Sequence, residues 1–308
     1  MENHLFDSEQ SALLSCRKAL GRIGWAMALA FGITQGLCML LVLWLDRAAP
    51  GSLENSWVYL GAGTLPLYLV GMPVAALIMW KMPAASPREY HRVGVLGTVA
   101  FATITYALFY GFQLLTMTWM DLLSRLTDHT FTMPAYEGES LAATLVIVGG
   151  LGPVLEELFF RGLVLRRLLP YGRIFAVVVS SALFGLFHGN FFQMFFAFGV
   201  GLAFAYITIR TGSMVYSILM HIFFNSYSSI LGFMLENHPA MATLGSVTIL
   251  AAAVVGVVMF FLNRKTIAYH LRPAPLPPLR CLAQGCKAVG LWIFVILCLA
   301  VSGYLMIV

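Results

Sequence analysis

Long runs of apolar residues, separated by short polar segments, follow one another along nearly the whole chain. A helix needs about 20 apolar residues to cross the hydrocarbon core of a bilayer, and most of these runs reach that length. They predict membrane-spanning helices over residues 25–45, 57–80, 93–120, 141–163, 174–194, 195–209, 214–235, 241–262 and 288–308. The sixth run is short and contains Gly199 and Gly201, so we predict a tilted or partial crossing there and eight or nine spans in total.

The Lys and Arg residues predict how these helices are oriented, because retained cytoplasmic loops carry an excess of positive charge. With the N-terminus in the cytoplasm, the basic loop residues fall on the cytoplasmic side, apart from Arg47 and Arg125. The tryptophans lie near predicted helix ends, where an indole ring favours the headgroup layer. The sequence therefore predicts an all-α, polytopic transmembrane helix bundle with a cytoplasmic N-terminus.

The same pattern divides the chain into four segments. Residues 1–24 are predicted to be a cytoplasmic N-terminal segment, and residues 25–140 to form transmembrane scaffold helices. Residues 141–235 are predicted to be the catalytic core, because the unusual polar residues described below cluster there. Residues 236–308 complete the bundle, with an extended cytoplasmic connector at 272–280 that contains four prolines.

Composition excludes several classes of protein. With 60% hydrophobic and only 10% charged residues, the chain lacks the polar surface of a soluble protein. The formal charge of +5 is spread over short loops and does not form a basic patch, so we expect no nucleic-acid partner and membrane lipids as the surroundings. The five cysteines form no CxxC pair or zinc-binding pattern, and we expect them to be reduced.

Ionisable side chains inside the predicted spans are confined to one third of the chain. Each such charge costs roughly 2.5 to 3.5 kcal/mol in the bilayer centre, so these residues are usually paired and functional. The group, with one neighbouring amide, consists of Glu156, Glu157, Arg161, His188, His221 and Asn225. Such a cluster is hard to explain by helix packing alone.

The two glutamates are predicted to have different roles. Adjacent residues on a helix point about 100° apart, so Glu156 and Glu157 face different surroundings. Glu157 and Arg161 are four positions apart with the acid first, which is the better orientation for a helical ion pair. Glu156 is then left available as a general base.

The histidines and the asparagine lie on later helices. Phe184 precedes His188 by one helical turn, and its ring is expected to hold the imidazole in place. His221 and Asn225 are also one turn apart and are expected to form a pair of donors for a carbonyl oxygen or oxyanion. With Glu156 and His188 activating a water, this arrangement predicts amide hydrolysis without a Ser or Cys nucleophile.

Three other interpretations of the cluster remain open. The polar residues are able to hold helices together without catalysis. Glu156, His188 and His221 offer three zinc ligands, although they come from separate helices without an HExxH motif. A proton-coupled transporter would use such carboxylates as a relay, but transporters commonly show repeated halves, and this cluster occurs once.

The three motifs resemble those of a known family. Glu156-Glu157-xxx-Arg161, Phe184-xxx-His188 and His221-xxx-Asn225, in this order, are similar to the signatures of the CPBP (Abi) intramembrane proteases, which include the CAAX prenyl endopeptidases. The resemblance covers roughly residues 141–235.

The resemblance implies a role for each matching residue. Glu156 and His188 would activate water, and His221 and Asn225 would form the oxyanion hole. Glu157, Arg161 and Phe184 would support the site, and no cofactor or metal would be needed. On the predicted boundaries Glu156 and His221 lie toward the cytoplasm and His188 lies deeper, so we expect the fourth helix to continue past Arg161 or to be tilted.

The family also implies a substrate class and a location. The expected partner is a peptide or protein, with or without a lipid group, cleaved at the cytoplasmic face of a bacterial cytoplasmic membrane. Several phenylalanines near the motifs either line a cavity for such a substrate or pack against lipid or in the core: Phe159, Phe160, Phe187, Phe191, Phe192, Phe223 and Phe224. Some relatives act in bacteriocin self-immunity or as scaffolds, which is the non-proteolytic alternative.

Overall fold

The computed structural model of this chain describes residues 2–87, 90–131, 140–272 and 276–306. In these ranges the fold is all-helical, with 86% helix and no β-strand, which confirms the predicted fold class. The helices are α1 (Glu2–Ala48), α2 (Ser56–Met79), α3 (Val95–Thr127), α4 (Leu141–Tyr171), α5 (Arg173–Phe187), α6 (Phe191–Thr211), α7 (Val215–Asn237), α8 (Pro239–His270), α9 (Pro278–Gly285) and α10 (Val289–Tyr304).

The helix lengths support a multi-pass membrane protein. Seven helices, α1 to α4 and α6 to α8, are long and apolar enough to cross a membrane. The bent pair α9 and α10, which meet at 76°, adds an eighth candidate. The remaining predicted span corresponds to α5, which has 15 residues and is about 22 Å long, shorter than a bilayer core of about 30 Å.

The predicted boundary between residues 194 and 195 is wrong, because the chain breaks earlier, between α5 and α6. Gly189 has a φ of 63°, a left-handed conformation that ends α5 directly after His188. The side chain of Asn190 then caps α6 by accepting a hydrogen bond of 2.9 Å from the Gln193 amide. The short apolar helix is therefore α5, with 15 residues, whereas α6, at the predicted short sixth run, has 21 residues.

Two other predicted boundaries also differ from those in the structure. α1 is one continuous helix of 47 residues, so residue 25 is not a helix start, and Leu20 and Ile23 are buried against other helices. The connector predicted at 272–280 is shorter than expected, because Pro278 begins α9 and proline is well tolerated in the first turn of a helix. Residues 273–275 of that connector lie outside the described residues.

Glycines allow the backbones of helices that are far apart in sequence to touch. Gly24 of α1 lies against the backbone of Gly290 in α10, and Gly256 of α8 lies against the carbonyl of Thr103 in α3. A side chain at either crossing would overlap with the facing backbone. Membrane helices commonly associate through small residues in this way, because lipid offers no hydrophobic driving force between them.

Aromatic rings fill the centre of the bundle between α1, α5 and α10. Phe31, Phe187 and Phe294 are all buried, with ring centroids 5.7 to 6.4 Å apart. The Phe31 ring also packs against Gly189, where a Cβ would lie only 2.7 Å from a ring carbon. This contact fixes the chain immediately after His188.

We expect Gly256→Ala to lower the free energy of unfolding by about 1–3 kcal/mol, because the added methyl forces α8 away from the Thr103 backbone. Thermal unfolding in detergent measures the change. Gly111→Ala in α3 is the matched control, since its Cβ would meet nothing within 4 Å. Equal unfolding temperatures for the two variants would contradict the close α3–α8 crossing.

Candidate active site

Four helices bring the predicted site residues together. α4 carries both glutamates and Arg161 on successive turns, and it continues past Arg161 to Tyr171, as expected from the depths of the motifs. His188 directly follows α5, and His221 and Asn225 lie on α7. α6 packs against the same cluster through Gly201 and Phe204. All of the predicted residues therefore lie in one region of the bundle.

A group of buried polar side chains lies at the centre of this region. The Glu157 carboxylate is 2.9 Å from Arg161 Nη1 and 3.0 Å from His221 Nδ1. The side chains of Glu157 and Arg161 are 0% and 1% exposed, and that of His221 is 6% exposed. Charges as deeply buried as those of Glu157 and Arg161 are tolerated only when they are paired, so these two side chains and His221 constrain one another.

Helices α5 and α6 complete the surroundings of Arg161. Its guanidinium lies 4.7 Å from the centre of the Phe184 ring and 5.5 Å from that of Phe204, within the range of cation–π contacts. Its Nη2 donates a hydrogen bond of 3.1 Å to the carbonyl of Gly201 in α6. Arg161 thus connects three helices through one side chain.

Glu156 has a different environment from Glu157. Its side chain is 19% exposed, whereas that of Glu157 is fully buried. Its Oε2 is 3.8 Å from His221 Nε2, and its Oε1 accepts a hydrogen bond of 3.3 Å from the hydroxyl of Tyr68. The partly exposed carboxylate is therefore the one that a water or a substrate is able to reach.

The His188 ring is held from two sides. Its Nδ1 is 2.9 Å from the carbonyl of Phe184, which only accepts, so Nδ1 carries a proton and Nε2 is an acceptor in the neutral ring. The predicted contact with the Phe184 ring is present, edge to face at 4.9 Å.

Asn225 has a partner that the sequence did not indicate. Its amide nitrogen donates a hydrogen bond of 3.1 Å to the carbonyl of Val148 in α4, and the neighbouring Ser226 hydroxyl donates one of 3.4 Å to Gly149. A primary amide has two N–H groups, and this bond uses one of them. The bond to Val148 fixes the direction of the amide.

Three π-helical segments surround the site. They cover Leu67–Gly71 in α2, and Leu145–Leu151 and Phe160–Leu165 in α4. The first carries Tyr68, the second supplies the carbonyl that binds Asn225, and the third carries Arg161. Such wider turns often occur at functional sites, because they alter the direction of side chains along a helix.

Tyr68 is a site residue that the sequence reasoning missed. It lies inside the predicted span 57–80, where its ring resembles any other apolar residue. The available signal was its hydroxyl, because the polar end of a buried tyrosine usually finds a hydrogen-bond partner. Which partner it finds depends on the packing of α2 against α4.

The zinc interpretation gains no geometric support. Among the residues that the structure describes, no group of three His, Cys, Asp or Glu side chains is arranged to hold a metal ion. One nitrogen of His221 faces Glu157, and one nitrogen of His188 faces a backbone carbonyl. The two Nε2 atoms and Glu156, which the zinc interpretation would use, are not arranged as such a group.

Most phenylalanines near the motifs pack in the core. Phe159, Phe160, Phe187 and Phe224 are buried, and the first three contact one another, whereas Phe223 is exposed on the outside of α7. Of the two predicted roles for these rings, core packing is the one observed for the buried four.

Comparison with known proteins identifies the same segment of the chain. Residues 138–227 match the family model described as Type II CAAX prenyl endopeptidase Rce1-like. The match contains all three motifs, is consistent with a CPBP-family protease, and supports an intramembrane endopeptidase in general. α1 to α3 and α8 to α10 lie outside it. No curated protein and no solved structure matches the chain.

We expect Arg161→Gln to lower the free energy of unfolding by about 3–5 kcal/mol, because Glu157 would be left as a buried charge with its main partner removed. Arg125→Gln is a matched control. Arg125 also pairs with an acid four positions earlier, at 2.9 Å, but the side chains are 76% and 60% exposed, so the expected loss is below about 1 kcal/mol. Unfolding in denaturant measures both changes. Similar losses of unfolding free energy in the two variants would contradict a stabilising role for the buried pair.

Proposed function

We propose that this protein is an intramembrane endopeptidase that hydrolyses a peptide bond with a water activated by Glu156 and His188. The observation that carries the proposal is that two adjacent carboxylates have different surroundings. Glu157 is buried in a charge cluster, whereas Glu156 is partly exposed beside His221. This division of roles lies inside the segment that matches the endopeptidase family.

The proposed reaction begins with the water. Glu156 takes a proton from the water while His188 Nε2 helps to orient it, and the oxygen attacks the carbonyl carbon of the substrate. The carbonyl π electrons move to oxygen. When the tetrahedral intermediate collapses, the C–N bond breaks and the proton held by Glu156 passes to the leaving nitrogen. No covalent enzyme intermediate is needed.

His221 and Asn225 bind the oxyanion in this proposal. Because Nδ1 of His221 faces the Glu157 carboxylate, a donor at Nε2 requires the doubly protonated ring, whose charge Glu157 balances. The second N–H of Asn225 supplies the other hydrogen bond. Glu157 and Arg161 then act through His221 and do not contact the substrate.

The substrate in this proposal is a peptide or protein segment reached from the cytoplasmic side of the membrane. The excess of Lys and Arg in the loops on that side supports the orientation. A prenylated C-terminus is the first chemical class to test, because it is named in the description of the matching family.

Hydrolysis of quenched fluorescent peptides, with and without a prenyl group, tests the proposal with detergent-purified protein. We expect Glu156→Gln to lower kcat by at least about 10²-fold, because the isosteric amide cannot accept the proton of the water. Asp121→Asn, at an exposed acid of α3, is the control and should retain full activity.

A chelator distinguishes the alternatives. Cleavage that resists the chelator but is lost in Glu156→Gln supports the proposed water activation. Cleavage abolished by the chelator would favour zinc bound by Glu156, His188 and His221. Full activity of Glu156→Gln would refute the proposal, and a cellular phenotype that survives this substitution would indicate a scaffold or immunity role.

We expect Asn225→Ala to lower kcat by about 10²–10³-fold with little change in KM, because the lost N–H is used mainly in the transition state. Ser226→Ala is the matched control. It removes the adjacent hydrogen bond between α7 and α4 but no oxyanion donor, so kcat should be nearly unchanged. Equal losses in steady-state assays of the two variants would indicate that Asn225 only links the helices.

A further inference from the structure

Tyr68 brings α2 into the site from outside the matched segment. Its hydroxyl is 3.3 Å from Glu156 Oε1, although the two residues are 88 positions apart in sequence. The side chain is half-buried, and the ring packs against the main core cluster. A hydroxyl directed at a carboxylate acts as the donor, and here Oε1 is the oxygen that accepts.

Glycines at both ends of this contact make room for it. Gly152 lies one turn before Glu156, and a Cβ there would be 2.9 Å from Tyr68 Oη and 3.7 Å from Glu156 Oε1. Gly71, at the end of the π segment that carries Tyr68, lies against Thr34 and the carbonyl of Ala30 in α1. The hydroxyl therefore reaches Glu156 through a gap that a side chain at position 152 would narrow.

The two oxygens of Glu156 consequently have different neighbours. Oε1 faces Tyr68, and Oε2 faces His221 Nε2 at 3.8 Å. Holding Oε1 fixes the rotation of the carboxylate about its last bond. Oε2 is then directed to the side on which His221 lies, where the proposed reaction needs a base.

We propose that Tyr68 is a positioning residue that fixes Glu156 for proton abstraction, an inference that rests on the proposed function. The hydroxyl of Tyr68 holds Oε1 so that Oε2 receives the proton of the water. Tyr68 itself donates one hydrogen bond throughout and does not exchange protons with the substrate. α2, which the family match leaves out, is thus part of the catalytic apparatus.

The test measures kcat and KM of the full-length protein with the substitution Tyr68→Phe, which keeps the ring and removes only the hydroxyl. We expect kcat to fall roughly 10- to 100-fold, the usual effect of one hydrogen bond to a charged group, with KM and the unfolding temperature unchanged. Tyr59→Phe is the matched control, because Tyr59 lies on the same helix with its side chain exposed, and it should keep full activity.

Gly152→Ala tests the same contact from the other side. The added methyl displaces the hydroxyl of Tyr68, so kcat should fall in the wild-type background. In the Tyr68→Phe background the same substitution should cause little further loss, because the displaced group is already absent. If the fold losses in kcat of the two single variants multiply in the double variant, position 152 acts independently of Tyr68. That result would overturn the inference.

The outcomes separate this inference from the proposed function. If Glu156→Gln abolishes cleavage and Tyr68→Phe retains the full kcat, the positioning role is wrong and the protease proposal stands. If Tyr68→Phe changes KM or the unfolding temperature in place of kcat, Tyr68 is structural and the inference fails. If Glu156→Gln retains activity, the proposed function itself fails.

Discussion

The buried contacts among Glu157, Arg161 and His221 are the constraint on which the rest of the site depends. A charge in the interior of a membrane protein is tolerated only with its partners in place, so α4 and α7 must meet where these side chains meet. Arg161 also needs the carbonyl of Gly201 in α6 and the ring of Phe184 in α5. One set of ionic contacts therefore fixes the relative positions of four helices.

This arrangement has a direct chemical consequence. Because Glu157 is held by the cluster, the adjacent Glu156 is directed elsewhere, to the partly exposed side beside His221. The same His221 ring contacts both carboxylates, one through each nitrogen. The buried pair of Glu157 and Arg161 and the partly exposed Glu156 are thus joined by a single imidazole.

The helices outside the matched segment also contribute to the site. The ring of Phe31 in α1 packs on Gly189 and so holds the chain next to His188, and Tyr68 in α2 contacts Glu156. Both Tyr68 and Arg161 lie in π-helical segments of their helices. The matched segment carries the motifs, and the remaining helices set their geometry.

The sequence alone determined the helical membrane fold and the members of the polar cluster, since both follow from hydropathy and from four-residue spacing within single helices, as in Glu157 and Arg161. Only the tertiary structure decided that Asn225 binds Val148 and that Tyr68 reaches Glu156. These features depend on which helices lie side by side. Contacts between residues distant in sequence leave no periodic signal along the chain, so no local pattern predicts them.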